Sequence, residues 1–395
     1  MARPSAPALV ALRLASAAAL VAALDEVWAA GEAALPLPAD LPTPALERWL
    51  SALRPARLID AEGEHALAGA RPVAEGTALV VATSGSTGPP KGVLLSHDAL
   101  AASTGASLER LGCRPGGDRW LCCLPLHHVA GLQVLLRARH LGTRPVLHDG
   151  CDPAAVAATW EGCWISLVPT MLSRLLDAGA DLTEPAGVLL GGAAASAGLL
   201  ARARSTGARI VTSYGMTESA GGCVYDGVPL EGAEVGLAED GRIRLRGPML
   251  FSGYREGAER PRDTWFATAD RGRWSGDGRL EVLGRLDDVI LTGGEQADVC
   301  ALSALLTQHP EVDEATVVGE PDADWGERVV AYVVPVPGTR PTLASLRAFV
   351  AARGPRHLAP RALHLLSELP RTELGKLDRG RLPGTMRGSE VRAQP

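Results

Sequence analysis

The sequence predicts an α/β fold: a large N-terminal domain of α/β sheets completed by a β-barrel-like subdomain, then a small C-terminal α+β domain. Three observations predict it. Between Thr77 and Ser213, short apolar segments end in loops of Gly, Ser, Thr or His and give way to helical spacing, the pattern of an open sheet that offers its strand C-termini to a ligand. From Gly232 the pattern changes to short β segments separated by glycine turns. Past the polar break Gly284-Arg285-Leu286-Asp287-Asp288, a unit of about 100 residues mixes helices with strands. The boundary falls at that break, giving domains 1–285 and 286–383 and a tail 384–395.

Composition bounds the function. A chain of 395 residues, 46% of them hydrophobic, can bury a large core divided over two or three domains. A net charge of −6 and no basic run interleaved with aromatics argue against nucleic acid, so small molecules are the expected partners. The seven cysteines are odd in number, form no C-x-x-C pair and lack zinc spacing, which points to free thiols in a reducing cytoplasm. Arg3, Arg13 and the apolar run 14–24 have the look of a signal peptide. However, Arg13 interrupts the run, its length is too short to span a membrane, and Asp25-Glu26 follow, so a packed Ala/Leu-rich helix is expected. No membrane partner is expected, and a homodimer is left open.

Residues 31–44, rich in Pro and Ala, read as a connection, and a helix follows at 46–53. A strand at 77–82 then delivers Thr83-Ser84-Gly85-Ser86-Thr87-Gly88-Pro89-Pro90-Lys91-Gly92. Hydroxyls and glycines at this density let backbone N–H groups approach an anion closely, and the lysine adds a mobile point charge. The spacing is not that of a Walker loop, so this is a phosphate loop of another kind. Among 39 basic residues only Lys91 and Lys376 are lysines, which marks both for work that a forked, rigid guanidinium cannot do.

A helix is expected at 96–111 and a strand at 120–124, ending in Pro125-Leu126-His127-His128-Val129-Ala130-Gly131. Neighbouring residues on extended chain point to opposite sides, so His127 and His128 are not expected to share a metal; pocket wall and substrate contact stay open for each. Strands follow at 144–147, 164–168, 187–190 and 210–213, with helices at 154–160, 171–178 and 197–205. Two of these strand ends present Gly191-Gly192-Ala193-Ala194 and Tyr214-Gly215-Met216-Thr217-Glu218. In the second, a purine can stack on Tyr214, Thr217 can donate to a phosphate, and Glu218 can hold Mg²⁺. Short strands at 242–246, 251–253, 265–268 and 280–282 build the barrel-like part, with Asp270 at a strand end where a carboxylate can accept from ribose hydroxyls. The C-terminal unit reads as strand 290–291, helix 300–308, strands 315–319 and 329–334, helix 343–352 and strand 362–366, followed by the loop that carries Lys376.

The loop 83–92, Tyr214-Gly215-Met216-Thr217-Glu218, Gly284-Arg285-Leu286-Asp287-Asp288 and Pro370-Arg371-Thr372-Glu373-Leu374-Gly375-Lys376 together resemble the core motifs of the adenylate-forming superfamily. This superfamily groups acyl-CoA synthetases, nonribosomal adenylation domains and luciferases. The four motifs keep the superfamily's order and spacing over residues 77–381. The resemblance implies an ATP-dependent ligation of an aryl carboxylic acid to coenzyme A through an acyl-adenylate. In it the small domain is mobile and turns about Asp287. Lys376 bridges carboxylate and phosphate, Mg²⁺ sits on Glu218 with Thr87, and Thr83, Ser84, Gly85, Ser86, Thr87, Gly88 and Lys91 hold the β- and γ-phosphates. Adenine lies between Tyr214-Gly215 and the Gly191, Gly192 and Ala193 backbone, Asp270 and Arg285 take the ribose, His128 sits near the acyl group, and Gly293-Gly294 flank the pantetheine path. Two positions and one stretch depart from the superfamily pattern: His127 for an aromatic, Ala269 for a glycine, and residues 296–301 after the Gly-Gly-Glu turn.

Overall fold

The computed structural model describes residues 6–83, 90–286, 289–371 and 377–383. These divide into two compact units. One holds the described residues up to Gly236 with Arg244–Ala267 and Trp274–Glu281; the other holds Leu237–Ile243, Thr268–Arg273 and the described residues from Val282 on.

The first unit opens with β1 (Leu9–Leu12), α1 (Ala17–Ala29), β2 (Ala33–Pro36), α2 (Thr43–Leu53), β3 (Arg57–Asp60), β4 (Gly63–Ala66), β5 (Thr77–Thr83) and β6 (Lys91–Ser96). Strands β1, β2, β3 and β5 run parallel, while β4 and β6 close the two sides as antiparallel hairpin partners. The start of the chain differs from expectation. Leu9–Leu12 is a strand with all four residues fully buried, and Ala33–Pro36 is its equally buried neighbour, not a connection. A four-residue strand covered on both faces shows no polar alternation, so its sequence merges with the apolar helix beside it.

Next come α3 (His97–Leu111), β7 (Arg119–Cys122), α4 (Val129–His140), β8 (Val146–Leu147), α5 (Pro153–Ala157), β9 (Cys163–Leu167), α6 (Pro169–Asp177), β10 (Gly187–Leu190), α7 (Ala197–Ser205), β11 (Ile210–Met216), β12 (Gly221–Tyr225) and β13 (Val228–Pro229). Helix α3 starts where Ser96 caps it, the side chain accepting from Ala99 N at 3.1 Å. The second sheet has the order β13–β12–β11–β10–β9–β7–β8, parallel from β8 to β11 and antiparallel beyond. One core joins the sheets: Leu12, Leu79 and Val93 from the first pack with Leu108 of α3, Leu132 of α4 and Trp120 and Trp164 from the second. The far face of the second sheet is covered by α5, α6 and α7 around Trp160 and Leu175. The β10 and β11 ends are thereby held on a rigid base.

Four further strands, β14 (Glu234–Leu237), β15 (Arg242–Arg246), β16 (Gly253–Tyr254) and β17 (Phe266–Trp274), precede β18 (Leu280–Arg285). The short β16 extends the first sheet at β6, and the others form a sheet in the order β14–β15–β17–β18, along which the division between units runs. The second unit continues with β19 (Val289–Thr292), β20 (Glu295–Asp298), α8 (Val299–Leu306), β21 (Val312–Asp322), β22 (Gly326–Pro335), α9 (Leu343–Ala351) and β23 (Ala362–Leu365). Its core sets Leu302 and Leu306 of α8 and Leu346 and Val350 of α9 against Val317, Val329 and Val333 of the long β21–β22 hairpin.

Candidate active site

The phosphate-loop residues enter and leave through one hairpin. Thr83 is the last residue of β5 and stands opposite Lys91, the first of β6, with the Thr83 hydroxyl donating to the Lys91 carbonyl at 3.3 Å. Lys91 is exposed, its ammonium 5.6 Å from the Tyr254 ring centroid. Ser84, Gly85, Ser86, Thr87 and Gly88 lie outside the described residues, as do Asp287 and Lys376.

Tyr214 and Gly215 belong to β11, which runs through the motif to Met216. Here the backbone is shaped by close approach. A Cβ on Gly215 would collide with the Gly221 carbonyl oxygen and lie 2.6 Å from Gly222 Cα, so the two strands can pair only through glycines. Beyond Met216 the chain turns in a 3₁₀ segment, Thr217–Ser219, closed by Ala220 in the left-handed region at φ 53°. Ser219 is buried: its Oγ accepts from Met216 N at 3.0 Å and donates to the Gly221 carbonyl at 2.7 Å. The Ala220 carbonyl is taken by Gln133 Nε2 at 2.6 Å and Ser103 Oγ at 3.2 Å, and Thr104 Oγ1 donates to Gln133 Oε1 at 3.2 Å. Gln133, Ser103 and Thr104 are all buried, on α4 and α3. Two core helices thus fix the turn that carries Thr217 and Glu218.

The side chain of Glu218 is met from a third direction. Tyr254 donates its hydroxyl to Glu218 Oε1 at 2.9 Å, and Phe251 N donates to the Glu218 carbonyl at 2.8 Å. Burial, with the carboxylate beside it, raises the phenol above its ordinary range, so it remains a donor. Neither Gln133 nor Tyr254 is singled out by the sequence. Gln133 lies in a helix that the His-His motif hides, and the segment expected at 251–253 stops one residue short of the tyrosine.

Gly191 follows β10 and donates its N–H to the Leu167 carbonyl at 3.0 Å; Gly192 has φ 79°, and Ala193 is exposed beside it. A Cβ on Gly191 would stand 3.3 Å from the Ser213 carbonyl oxygen, so this backbone abuts β11 one residue before Tyr214. The two small-residue ends are therefore adjacent, as a flat ring between them requires.

The histidines differ from expectation. His127 lies in a turn, while His128 is extended at φ −104°, ψ 145° and occupies the N-cap position of α4. Their rings consequently stand side by side, centroids 4.4 Å apart. Burial holds the His127 imidazole below its ordinary value, against an opposing pull from Asp40. Gly131 is dictated by the same turn, since a Cβ there would run into the Pro125 carbonyl.

In the second unit, Asp270 sits inside β17, not at its end, with its N–H donating to Thr268 Oγ1 at 3.1 Å while that hydroxyl donates to the Ile243 carbonyl at 2.9 Å. Arg285 is the last residue of β18 and is exposed. Gly293 and Gly294 turn from β19 to β20 at φ 61° and 80°. A Cβ on Gly293 would lie 2.7 Å from the Trp325 ring, and its N–H donates to the Trp325 carbonyl at 2.8 Å. The described cysteine side chains are all free thiols, and burial pushes Cys122 up to about 11 and Cys223 up to about 12, which keeps both protonated.

For Mg²⁺ the donor chemistry at Glu218 fits. The carboxylate is a hard oxygen ligand, half-buried, with one oxygen committed to a neutral hydroxyl and no ion pair to a basic side chain among the described residues. Among those residues no helix is long and apolar enough to cross a membrane.

Residues 10–255 match the AMP-binding enzyme family and residues 302–376 its C-terminal domain. The chain belongs to the AMP-binding enzyme family and is a ligase. It is 41% identical over 360 residues, 86% of this chain and 93% of the relative, to a probable 2-succinylbenzoate–CoA ligase of Mycobacterium tuberculosis. A 2-succinylbenzoate–CoA ligase of Listeria monocytogenes is 33% identical over 328 residues, 77% of this chain and 69% of that one. Among solved structures, the o-succinylbenzoate CoA synthetase of Bacillus subtilis in complex with its acyl-adenylate intermediate superposes with a TM-score of 0.87 at 28% identity, over 96% of this chain and 89% of that one. The same enzyme in complex with ATP and magnesium gives 0.84. These likenesses agree with the stretches 124–135 and 221–230, which resemble o-succinylbenzoyl-CoA synthetase within the superfamily.

Proposed function

We propose that this chain ligates o-succinylbenzoate to coenzyme A with ATP, through an acyl-adenylate, as a cytoplasmic step of menaquinone biosynthesis. The likeness to the Mycobacterium tuberculosis ligase along most of both chains carries this reading. The substrate carboxylate attacks the α-phosphorus of ATP and releases pyrophosphate; the CoA thiol then displaces AMP to give the thioester.

Each assigned residue has a task in that sequence. Thr83, Lys91 and the loop between them hold the departing phosphates, the adenine rests on Tyr214 and Gly191-Gly192-Ala193, and Asp270 with Arg285 takes the ribose. Mg²⁺, when bound, offsets phosphate charge; Glu218 and Thr87 are the residues that would hold it, and Thr217 donates to phosphate oxygen. Lys376 joins two anions that otherwise repel, where one compact cation is worth most. His128 lies at the acyl end, and Gly293-Gly294 leave a side-chain-free path for pantetheine. The test is a panel of aryl and alkyl acids in an ATP- and CoA-dependent pyrophosphate-release assay, with the thioester identified by mass. Turnover is expected to be best with o-succinylbenzoate. Indifference to it alongside brisk use of another acid would reassign the substrate and keep the ligase.

A further inference from the structure

Tyr254 is joined to both ends of the phosphate apparatus. Its backbone is fixed twice over: β16 pairs with β6 so that Tyr254 stands opposite Val93, and Arg255 N donates to the Gly92 carbonyl at 2.7 Å. Phe251, whose N–H donates to the Glu218 carbonyl at 2.8 Å, packs its ring edge-on against Tyr254 with centroids 4.9 Å apart. From that base the hydroxyl reaches Glu218 Oε1 at 2.9 Å, while the ring lies 5.6 Å from the Lys91 ammonium. The residue therefore stands beside an acid and a base that form no ion pair with each other, although both are described.

We propose that Tyr254 is a positioning residue that holds Glu218 in a metal-ready rotamer and keeps Lys91 from collapsing onto it. This rests on the reading of Glu218 as the Mg²⁺ ligand. One Glu218 oxygen is occupied by a neutral donor, which leaves the charge intact and the second oxygen free to turn toward a cation. The ring face gives the Lys91 ammonium an attractive partner that does not neutralise it, so the phosphate loop keeps its positive charge. Without the hydroxyl, the carboxylate is free to swing and to meet Lys91. A hydrogen bond to a metal ligand of this kind commonly tunes metal affinity on the order of tenfold or more.

The test uses Tyr254→Phe, which removes one oxygen and keeps the ring. Binding of a non-hydrolysable ATP analogue is followed by calorimetry across a Mg²⁺ series, a readout that needs neither the acid nor turnover. The Mg²⁺ concentration for half-maximal tightening is expected to rise on the order of tenfold in Tyr254→Phe, with affinity for metal-free nucleotide unchanged. In a Glu218→Gln background the same change is expected to do nothing further. Tyr254→Leu, which also removes the ring, is expected to weaken metal-free nucleotide binding as well, because Lys91 loses its seat. A wild-type Mg²⁺ profile in Tyr254→Phe, or an undiminished effect in the Glu218→Gln background, would overturn the proposal. A Glu218→Gln variant with a wild-type profile would instead overturn the metal assignment on which it rests.

Discussion

At the scale of single residues, the two lysines and the histidine pair separate roles that the motifs leave merged. Lys91 opens β6 with its ammonium 5.6 Å from the Tyr254 ring centroid and is assigned to the departing phosphates, whereas Lys376 is assigned to the bond-forming step. Lys376→Ala is therefore expected to lower acyl-adenylate formation by roughly a hundredfold or more while sparing thioester formation from preformed acyl-adenylate. Lys91→Ala should cost about tenfold, mostly in KM for ATP. Equal losses in both half-reactions for Lys376→Ala would contradict its assignment. His127 carries a different prediction. Because burial depresses its folded pKa, the unfolded chain takes up a proton near pH 6.5, the ordinary value, while the folded chain still refuses it. Its contribution to stability is thus complete above that pH and is lost as pH falls toward the lower folded value. Urea midpoints measured across this window should fall less steeply in His127→Gln than in the parent.

At the scale of elements, glycines distinguish positions where the backbone demands them from positions where it does not. Gly215 cannot accept a Cβ without parting β11 from β12, and the Thr217–Ser219 turn hangs on that pairing. Gly215→Ala is expected to destabilise by roughly 3 kcal/mol or more and to abolish ATP binding. Gly105, inside α3, would place its Cβ 3.8 Å from His140 Cε1 in ordinary contact, so Gly105→Ala should stabilise by about 0.5–1 kcal/mol. Thermal melts of the two variants check both signs. The same contrast explains what could be read from sequence. Strands 187–190 and 242–246 and helix 197–205 are legible to the residue because turns, caps or strict alternation bound them. Strands β1 and β2 are not, since four fully buried residues carry no period. The motif residues themselves are legible, but their supports are not: Gln133 and Tyr254 act through contacts 87 and 36 residues away, which no local pattern records.

At the scale of the molecule, one buried cation ties the start of the chain to the phosphate hairpin. Arg255 is 3% exposed and donates to the carbonyls of Leu53 at 2.9 Å, Pro72 at 2.8 Å and Arg54 at 3.4 Å, and also to that of Arg71. Its own backbone closes the circuit, with Arg71 Nη1 donating to the Arg255 carbonyl at 2.7 Å and Arg255 N donating to Gly92. Gly92 is packed just as tightly, since a Cβ there would sit 2.8 Å from Leu53 Cδ2 and 2.9 Å from Arg255 Cβ. Burial, reinforced by the neighbouring Arg71 and opposed by Glu256, lowers the guanidinium to about 10, so it remains charged at neutral pH; among the described residues it forms no ion pair with a carboxylate and relies on carbonyl dipoles instead. The same strand end carries Tyr254, so the clamp that secures the end of α2 and residues 71–72 also secures the support of Glu218. Arg255→Met leaves these carbonyls facing an apolar chain and is expected to cost about 3–5 kcal/mol, lowering the melting temperature by roughly 4–6 °C. Arg255→Lys, with a single ammonium for four acceptors, should recover less than half of that loss. The melting temperatures of the two variants, measured with and without Mg²⁺-ATP, decide it: a shift below 1 °C in Arg255→Met would mean that water replaces the guanidinium freely and that the first sheet holds its hairpin without this clamp.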